Sequence, residues 1–386
     1  MSLFARRAAT LTDVAALGGH TRARSKPGKF FVDDASAMRH SAVWACLRLR
    51  ADLISTMPVD TYRKVKGVRV EVPKPPVLVT PDGGPGGIQE WLYASQVDLD
   101  RAGNCFGLVT ARDGNRLPAR IELQRLADVS VRANGSTITE VRVSGQKVAL
   151  EDVWHEKQYP VAGMPLGLSP VAHAAWSIEE SMSAQQFALD WFGGSAIPMA
   201  ELKNTAKTIN KREAQVAKDA FRAAVADGDL FVHGNDWEYK PIQTVAASAA
   251  FLDARSASVS DVARFFGCPG DMIDAAVQSG NITYANIGQR NQQLLTMHVG
   301  PAVSRRETAL SRLTLGDRFV KLNRSALLAM DPETRARVLD LQVKGRLRTN
   351  TEARAVDDLP PLTAEDIEEF ATIYGGARTQ PTEAQA

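Results

Sequence analysis

Residues 277–313, VQSGNITYANIGQRNQQLLTMHVGPAVSRRETALSRL, decide how the rest of the chain is interpreted. After a flexible polar opening they run for about 30 residues without strand-like alternation. The first turn cluster within this run is Gly300–Pro301. The pattern predicts a helix roughly 45 Å long. Pro301 has no backbone donor and clashes with the preceding turn, so we expect a kink or break there.

The first half of this predicted helix is unusually polar. Only Ile287, Leu294 and Leu295 are available there for apolar packing. A polar helix behind a flexible loop can line a passage or a subunit interface, and it can equally be a solvated surface helix. The pattern alone favours the solvated helix. The polar side chains are Asn286, Gln289, Arg290, Asn291, Gln292 and Gln293.

The composition is that of a soluble globular protein. At 386 residues the chain can hold two or three domains or one elaborated body. Hydrophobic residues make up 44% and charged residues 23%. The net charge is only +2, from 46 basic and 44 acidic residues. A protein that grips DNA through its phosphates normally has a basic excess, so we expect any contact with nucleic acid to be loose or made through a shaped passage.

Cysteine usage and hydropathy exclude several other classes. Cys46, Cys105 and Cys268 are scattered, without a CxxC pair or histidine at ligand spacing. This argues against a disulfide framework or a structural zinc site, and it fits a reducing compartment. No apolar run approaches the ~20 residues that span a bilayer. Arg6 and Arg7 are not followed by a continuous apolar stretch, so we expect no secretory signal.

The first half of the chain predicts a mixed α+β body. A helix is expected from Ser41, as its N-cap, to Pro58, and a hairpin with its turn at Lys66–Gly67 follows. A second helix covers Ile88–Leu99 and ends at Gly103–Asn104. Several short strands then alternate with turns.

Longer helices dominate the second half. Ser169 and Pro170 are the expected N-cap and first residue of a helix that ends before Gly193–Gly194. A β–α–ββ insert, with its helix at 211–226, separates this helix from another at 251–267. A strand at 317–323 and two further helices follow, the second capped by Thr349 or Asn350. Residues 363–386 are expected to form a short helix and a mostly disordered tail.

No catalytic motif is evident. The chain has no P-loop, Rossmann fingerprint, HExxH or GxSxG, and no carboxylate pair stands out as a nuclease metal site. In the glycine-rich segment 73–87, Pro81 and Pro85 remove donors that a phosphate loop would need. His155 is interpreted as a structural histidine, because no nucleophile or supporting acid is marked nearby. Trp176 and Trp191 are interpreted as core or interface residues.

Several segments, in order, resemble the portal proteins of long-tailed bacteriophages. Each motif is weak alone, but together they cover about residues 38–362. Cys268 stands where valine is usual in the family, and an expected arginine is replaced at Ala329 or Met330. The matching segments are His40–Lys64, Gly103–Phe106, Asp152–His155 with Gly167–Pro170, Asp261–Pro269, Thr283–Ile287 with Gly300–Pro301, and Leu327–Asp331 with Gly345–Arg354.

The resemblance implies an α+β portal fold, with a mixed α+β wing, stem helices, a small α/β clip, a long kinked tunnel helix and a helical crown. The N-terminal residues, which are rich in arginine, would be a disordered basic arm. The implied division is arm 1–28, wing 29–168, stem helix 169–193, clip 194–246, stem helix 247–267, tunnel loop 268–283, tunnel helix and wing return 284–325, crown 326–362 and tail 363–386.

The resemblance also implies a function without catalysis. The expected assembly is a homo-oligomeric ring, usually of twelve copies, at one capsid vertex of the virion. Double-stranded DNA would pass through it during packaging and ejection. The implied partners are the terminase large subunit, the head–tail adaptor, the major capsid protein and the scaffold. No cofactor, metal or membrane is implied, and assembly would occur in the host cytoplasm.

Three groups of residues are carried over as candidate sites. The tunnel loop would use Gln278, Ser279, Gly280 and Asn281, and the tunnel helix would present Asn286, Gln289, Arg290 and Gln293 to the axis. The clip would face terminase and adaptor through Lys203, Lys211, Arg212, Asn235 and Asp236.

Two other functions stay open on the residues alone. The basic arm would also suit a protein that binds DNA without sequence preference and without forming a ring. An enzyme whose motif is unfamiliar is the other alternative. The first predicts strong, salt-dependent duplex binding by the monomer. The second predicts an activity, such as metal-dependent nuclease cleavage, that one carboxylate substitution abolishes.

Overall fold

The chain divides into two compact units, residues 1–327 and residues 328–386. The computed structural model describes residues 9–10, 34–192, 200–205, 210–227, 237–241, 249–273, 284–324, 332–357 and 359–374. Each unit is described by itself.

The first unit combines helices with four small antiparallel sheets. Its helices are α1 (Asp34–Ala37), α2 (Ser41–Ser55), α3 (Gly87–Ala102), α4 (Pro170–Phe192), α5 (Lys211–Asp227), α6 (Ala249–Phe266), α7 (Tyr284–Gln293) and α8 (Gly300–Ser311). Its strands are β1 (Ala9–Thr10), β2 (Val59–Val65), β3 (Val68–Glu71), β4 (Asn104–Arg112), β5 (Pro118–Leu123), β6 (Val129–Asn134), β7 (Thr137–Val143), β8 (Gln146–Val148), β9 (Val153–Lys157), β10 (Ala200–Asn204), β11 (Trp237–Pro241) and β12 (Arg318–Leu322).

The helical core lies where α2, α4 and α6 meet. Apolar side chains recur on one face of each helix at the spacing that turns them toward a common centre. Each large apolar side chain buried there contributes about 1.5–3 kcal/mol relative to exposure. The buried members are Val43, Cys46 and Leu47 from α2, Val171, Ala174 and Ile178 from α4, and Val262, Ala263 and Phe266 from α6.

Among the described strands, four pairings are local hairpins, and the other four, β12–β2, β4–β9, β1–β6 and β10–β11, join strands that are farther apart in sequence. The strand orders are β12–β2–β3, β5–β4–β9, β1–β6–β7–β8 and β10–β11, and every pairing is antiparallel. The β2–β3 turn has positive φ at Lys66 (49°) and Gly67 (84°). Two consecutive positive φ values match the strand twist of a two-residue hairpin, and the hairpin prediction is confirmed.

A second core lies beneath β4, β6 and β7. Phe106 packs there with Val129, Val131 and Val141, and Leu166 joins from the segment before α4. The side chains alternate in burial at the start of β6, where Val129 and Val131 are buried, as expected where a strand buries one face. The strands expected between residues 105 and 150 are therefore confirmed as a β body beside α3.

The second unit is helical. Its elements are α9 (Pro332–Lys344), α10 (Asn350–Val356) and α11 (Ala364–Tyr374). Thr349 caps α10: its hydroxyl accepts from the Glu352 amide, and the Glu352 carboxylate accepts from the Thr349 amide at 2.8 Å. This capping box satisfies two backbone donors at once. The short helix expected after residue 363 is confirmed as α11.

Some details of the sequence prediction were wrong or incomplete. Helix α2 starts at Ser41, so His40 and not Ser41 is the N-cap residue, and its side chain makes no capping bond. The His40 ring instead bonds the Ser181 hydroxyl of α4 at 2.7 Å, a contact between distant segments that local pattern does not reveal. Ala9 and Thr10, within the predicted arm, pair with β6.

Candidate functional site

The long helix that dominates the sequence is interrupted once. Helix α7 passes into a π-helical turn at Leu294–His298, and α8 then begins at Gly300 with Pro301 in its first turn. The first backbone N–H groups of a helix have no partner within the helix, so a proline there costs no hydrogen bond. The break predicted at Pro301 is confirmed, but the sequence did not indicate the π-turn before it.

The exposed face of α7 is polar, as expected. Gln289 and Gln293 are exposed, whereas Leu294 and Leu295 are buried. The Arg290 guanidinium forms an ion pair with the carboxylate of Asp271 in the 3-10 turn Gly270–Ile273. Asn286 belongs to α7, but its side chain lies outside the described residues. Whether this face lines a passage remains a prediction.

The π-turn is fastened to two other elements through His298. The His298 ring bonds the Gly267 carbonyl at 2.8 Å, where α6 ends. The His298 carbonyl accepts from the Arg50 guanidinium of α2 at 3.2 Å. A π-turn shifts the usual carbonyl pairing, and Arg50 supplies a donor at that position. The exposed α7 face is thus positioned by contacts to both α2 and α6.

Arg50 is held by a buried acid. Its guanidinium lies 3.0 Å from Asp100 of α3, and the two side chains are 3% and 1% exposed. Gln96 and Gln158 also donate to the Asp100 carboxylate, at 2.9 and 3.1 Å. Burial, the largest single effect, lowers the pKa of Arg50, but the Asp100 charge and hydrogen bond, together with Tyr159 and Cys268, outweigh it and raise that pKa above its ordinary value. Arg50 therefore stays charged and keeps its hydrogen bond to the His298 carbonyl of the π-turn.

Helix α8 is anchored through a second buried ion pair. Arg306 lies 2.9 Å from Glu156 of β9, with side chains 2% and 4% exposed. The same guanidinium donates to the Ser95 hydroxyl at 2.6 Å and stands 5.5 Å from the Trp91 ring centre. The indole of Trp154 donates to Glu156 at 3.0 Å. These bonds compensate charges whose desolvation would otherwise be costly.

A third set of contacts joins α8 to β12 and so to the β2–β3 hairpin. The buried Glu307 carboxylate receives the Lys321 ammonium and the Leu322 amide. The Ser311 hydroxyl accepts from the Val320 amide at 2.9 Å. The C-terminal half of the long helix, α8, is therefore held by contacts to α3, β9 and β12.

His155 is structural, as interpreted from the sequence. It lies within β9, stacks on Phe106 at 4.3 Å between ring centres, and bonds the Asn104 side-chain oxygen at 3.1 Å. The same oxygen accepts from the Gly167 amide at 2.8 Å. Burial, followed by the positive charges of Lys157 and Arg312, lowers the pKa of His155 to about 3. The ring is therefore neutral at physiological pH.

Three of the five predicted clip residues lie in the described part of the chain. Lys203 of β10 and both Lys211 and Arg212 at the start of α5 are exposed. Asn210 caps that helix, because its side-chain oxygen accepts from the Arg212 and Glu213 amides at 3.0 and 2.9 Å. Strands β10 and β11 pair over Ala200–Asn204. Lys203 therefore lies on the β10–β11 pair, whereas Lys211 and Arg212 lie at the start of α5, and what these three cations face stays a prediction.

The remaining candidates fall outside the described residues. These are Asn235 and Asp236 of the predicted clip, and the whole predicted loop of Gln278, Ser279, Gly280 and Asn281. Of the two tryptophans, Trp176 on α4 is 64% exposed, so the core interpretation is excluded for it within one chain. The side chain of Trp191 is not among those described.

Sequence reasoning missed the buried ion pairs. Arg50, Asp100, Glu156 and Arg306 sit in segments that look like ordinary amphipathic helices and strands, and the pairs join positions 50 and 150 residues apart or more. One signal was available: Arg306 follows another arginine in a helix whose neighbours Val303 and Leu310 are apolar. A charge on an apolar stripe is usually paired.

Two kinds of site are absent from the described part of the chain. No group of three or more His, Cys, Asp or Glu side chains could hold a metal ion there. Among the described helices, none is long and apolar enough to cross a membrane. All three cysteines are buried and unbridged.

The fold is shared with solved portal structures. The crystal structure of an HK97 family phage portal protein from Corynebacterium diphtheriae has a TM-score of 0.62 at 20% identity, over 78% of this chain and all of that one. A chain from the virion of a native gene transfer agent particle has a TM-score of 0.56 at 17% identity, over 92% of this chain and all of that one. A chain from the neck of such a particle, computed with C12 symmetry, has a TM-score of 0.55 at 19% identity, over 92% and 99%. The architecture is therefore the α+β fold of portal proteins.

Sequence relatives agree with the fold. The probable portal protein of Streptomyces phage phiC31 is 27% identical over 350 residues, which are 84% of this chain and 76% of that protein. The portal protein of Enterobacteria phage HK97 is 24% identical over 366 residues, or 90% and 85%. The family described as phage portal protein matches residues 41–358. The chain belongs to this tailed-phage portal family, and the resemblance stated from its motifs is confirmed.

Proposed function

We propose that the chain assembles into a closed ring, of twelve copies, at one vertex of a phage capsid, and that double-stranded DNA passes through it. The observation that carries the proposal is the family match over residues 41–358. The fold shared with chains of gene transfer agent necks, one computed with C12 symmetry, supports it further. No catalytic step is part of this function.

The segments divide the work. Residues 29–168 form the wing, 169–193 and 247–267 the stem helices, and 194–246 the clip. Residues 268–283 are the tunnel loop, 284–325 the tunnel helix and the return to the wing, and 326–362 the crown. In support, α4 and α6 pack side by side in one core, and β10, α5 and β11 lie between them in sequence, with β10 and β11 paired in a sheet of their own. Residues 1–28 and 363–386 are the arm and the tail.

The tunnel face suits sliding more than holding. Gln289 and Gln293 are exposed, uncharged amides, and the charge of Arg290 is compensated by Asp271. Each phosphate held by a free cation adds to a salt-dependent grip. A face of amides with one neutralised arginine adds little of it. Passage in either direction is then limited by the motor and not by the wall.

The partners follow from the same assignment. The clip, with Lys203, Lys211 and Arg212 exposed, docks the terminase large subunit during packaging and the head–tail adaptor afterwards. The wing and crown meet the major capsid protein and the scaffold. The protein then works in the virion at the portal vertex, after assembly in the host cytoplasm.

Electron microscopy of the purified protein tests the ring. Negative-stain images and native mass spectrometry are expected to show rings with one dominant copy number near twelve. A protein that stays monomeric or dimeric at high concentration would contradict the proposal. If that protein also bound duplex DNA at submicromolar concentration with a steep salt dependence, it would be a sequence-independent DNA-binding protein instead.

A further inference from the structure

Helix α11 carries an exposed apolar stripe between acidic flanks. Ile367, Phe370 and Ile373 lie three residues apart, so they share one face, and they are 57%, 45% and 60% exposed. The helix has no basic residue and four acidic ones, Glu365, Asp366, Glu368 and Glu369. Asp366 is engaged in the cap, since its carboxylate accepts from the Thr363 amide at 2.8 Å. The other three acids are exposed and are not used to start the helix.

The elbow between α9 and α10 has the opposite character. An open, shallow cavity lies at this elbow. We call the surface that lines it the basic elbow. Leu347 at its centre is 79% exposed and is flanked by the exposed Arg346 and Arg348. The acid in the lining, Glu352, is already bound to the Thr349 amide. The lining residues are Val343, Arg346, Leu347, Arg348, Thr349, Asn350 and Glu352.

The two surfaces each expose apolar side chains, and their flanking charges are opposite. An amphipathic helix commonly docks by laying an apolar face into a groove. The stripe of α11 offers that face to Leu347, and its acidic flanks can meet Arg346 and Arg348. Within one described chain the apolar side chains of both surfaces remain exposed, so this chain does not bury them against each other.

A closed ring needs two different surfaces on each subunit that match each other. Each subunit of a closed ring uses two different faces, one for each neighbour, because its interface is heterologous. The second unit carries two unlike surfaces that match. We propose that α11 of each subunit docks on the basic elbow of the adjacent subunit, and so links neighbouring crowns around the ring. This inference rests on the proposed function.

Charge reversal tests the docking in full-length rings. One variant carries Glu368→Lys with Glu369→Lys, a second carries Arg346→Glu with Arg348→Glu, and the third combines all four. Each of the first two is expected to raise the protein concentration needed for half-maximal assembly by about tenfold, and the combined variant to recover most of that loss. Exposed charges elsewhere serve as the matched control, as in Arg125→Glu combined with Glu71→Lys.

Cross-linking decides which copy is engaged. Ala371→Cys on α11 and Asn350→Cys in the elbow introduce two exposed thiols, while the native cysteines are buried. Copper–phenanthroline with dioxygen removes two electrons and two protons from each thiol pair, forms the S–S bond, and reduces the oxygen. Docking between neighbours predicts a ladder of covalent oligomers under denaturing conditions. Either single-cysteine variant is expected to give no oligomer larger than a dimer.

The outcomes separate the two proposals. Wild-type protein that forms no ring overturns the proposed function. Rings that form normally in all charge variants and give no ladder overturn the docking alone. A monomeric cross-linked product means that α11 folds onto its own elbow, which also overturns it. So does an elbow reversal that lowers duplex DNA binding while leaving assembly unchanged.

Discussion

Arg306 anchors α8, the C-terminal half of the long helix, through buried contacts. It is buried with Glu156, Ser95 and Trp91, and removing it leaves a carboxylate inside the protein without its counter-charge. Replacing one member of such a pair costs far more than the pair itself contributes. The main role of the buried arginine is thus to hold α8 in position.

We expect Arg306→Ala to destabilise the protein by about 3–5 kcal/mol. Arg264→Ala is the matched control, because its ion pair with Asp261 is exposed and is worth less than about 1 kcal/mol. Urea unfolding of both variants at one protein concentration measures the difference. Equal losses would show that burial does not govern the Arg306 contribution.

Gly103 ends α3 where two backbone segments approach closely. Its φ is +72°, and a Cβ there would lie 2.0 Å from the Leu168 carbonyl oxygen. Gly163 has a similar φ of +79°, but nothing lies within 4 Å of its would-be Cβ. Both glycines have a left-handed backbone conformation that strains other residues, and they differ in the space around the would-be Cβ.

Gly163→Ala is therefore expected to cost about 1–2 kcal/mol, for the backbone conformation alone. Gly103→Ala is expected to cost clearly more, because a backbone oxygen cannot swing aside as a flexible side chain can. Thermal unfolding of both variants tests this. A Gly103 variant no less stable than the Gly163 variant would contradict the close approach.

His155 makes stability depend on pH. Its folded pKa of about 3 lies below the unfolded value near 6.5, so the unfolded chain binds more protons between these limits. The stabilisation is complete above pH 6.5 and is lost as pH falls toward 3, by at most about 1.4 kcal/mol per pH unit. Acid should therefore weaken the junction of β4 and β9.

His155→Gln is expected to flatten the decline of unfolding free energy between pH 6 and pH 4. The variant starts less stable at neutral pH, because the stacking on Phe106 is lost. His173→Gln, which replaces an exposed histidine in the first turn of α4, is the comparison variant. Parallel slopes for wild type and the His155 variant would assign the acid sensitivity to other groups.

At the scale of elements, Asp271 sets the charge of the α7 face. The carboxylate belongs to the turn after α6, and it pairs with Arg290 one turn and a half into α7. If that face lines the DNA passage, freeing the arginine adds one cation per subunit to the wall. Under the proposed function, the Asp271–Arg290 contact would then reduce the strength with which the ring holds DNA.

We expect Asp271→Asn rings to bind duplex DNA more tightly at low salt, with a steeper dependence of log affinity on log salt. Adding Arg290→Gln should return both to the wild-type values. Fluorescence anisotropy of a labelled duplex against salt concentration measures this. No change in the single variant would mean that Arg290 does not reach the DNA.

Local signals predicted the elements well where the deciding contacts are near in sequence. The Lys66–Gly67 hairpin, the Ser169 cap and the Thr349 capping box each depend on residues within about four positions. The start of α2 was misjudged because His40 bonds Ser181, which no local pattern reveals. The π-turn was not predicted for the same reason, because the carbonyl of its last residue, His298, accepts from the distant Arg50.

At the scale of the whole molecule, near-balanced charge limits the unassembled chain as a DNA ligand. The net charge is +2, and the pairs around Arg50 and Arg306 remove two cations from the surface. Duplex affinity at physiological salt comes largely from cations that replace counterions. Because its acidic residues nearly balance its basic ones, the isolated subunit offers little net positive charge.

We therefore expect unassembled protein to bind duplex DNA only weakly, with dissociation constants no tighter than about 1–100 μM at physiological salt. Dilution below the assembly concentration, followed by anisotropy, measures this. The assembled ring serves as the comparison. Submicromolar binding by the monomer would instead favour the DNA-binding alternative.

The fold class and the family could be predicted from the sequence because ordered motifs extend over most of the chain. The candidate site could be predicted only in outline: the polar face of α7 was expected, but its anchorage was not. Arg306 and Glu156 lie 150 positions apart, and only the packed structure brings them together. The loop at 278–281 lies outside the described residues, so its role stays a prediction.

The π-turn at Leu294–His298 has one more consequence. Such a turn amounts to one extra residue in a helix, and each residue rotates the chain by about 100°. Loss of a single residue there would swing the exposed face of α7 by roughly a quarter turn, while Arg306 kept α8 in place. The π-turn therefore sets the rotation of α7 relative to α8. A change in its length would turn a different face of α7 outward without moving α8.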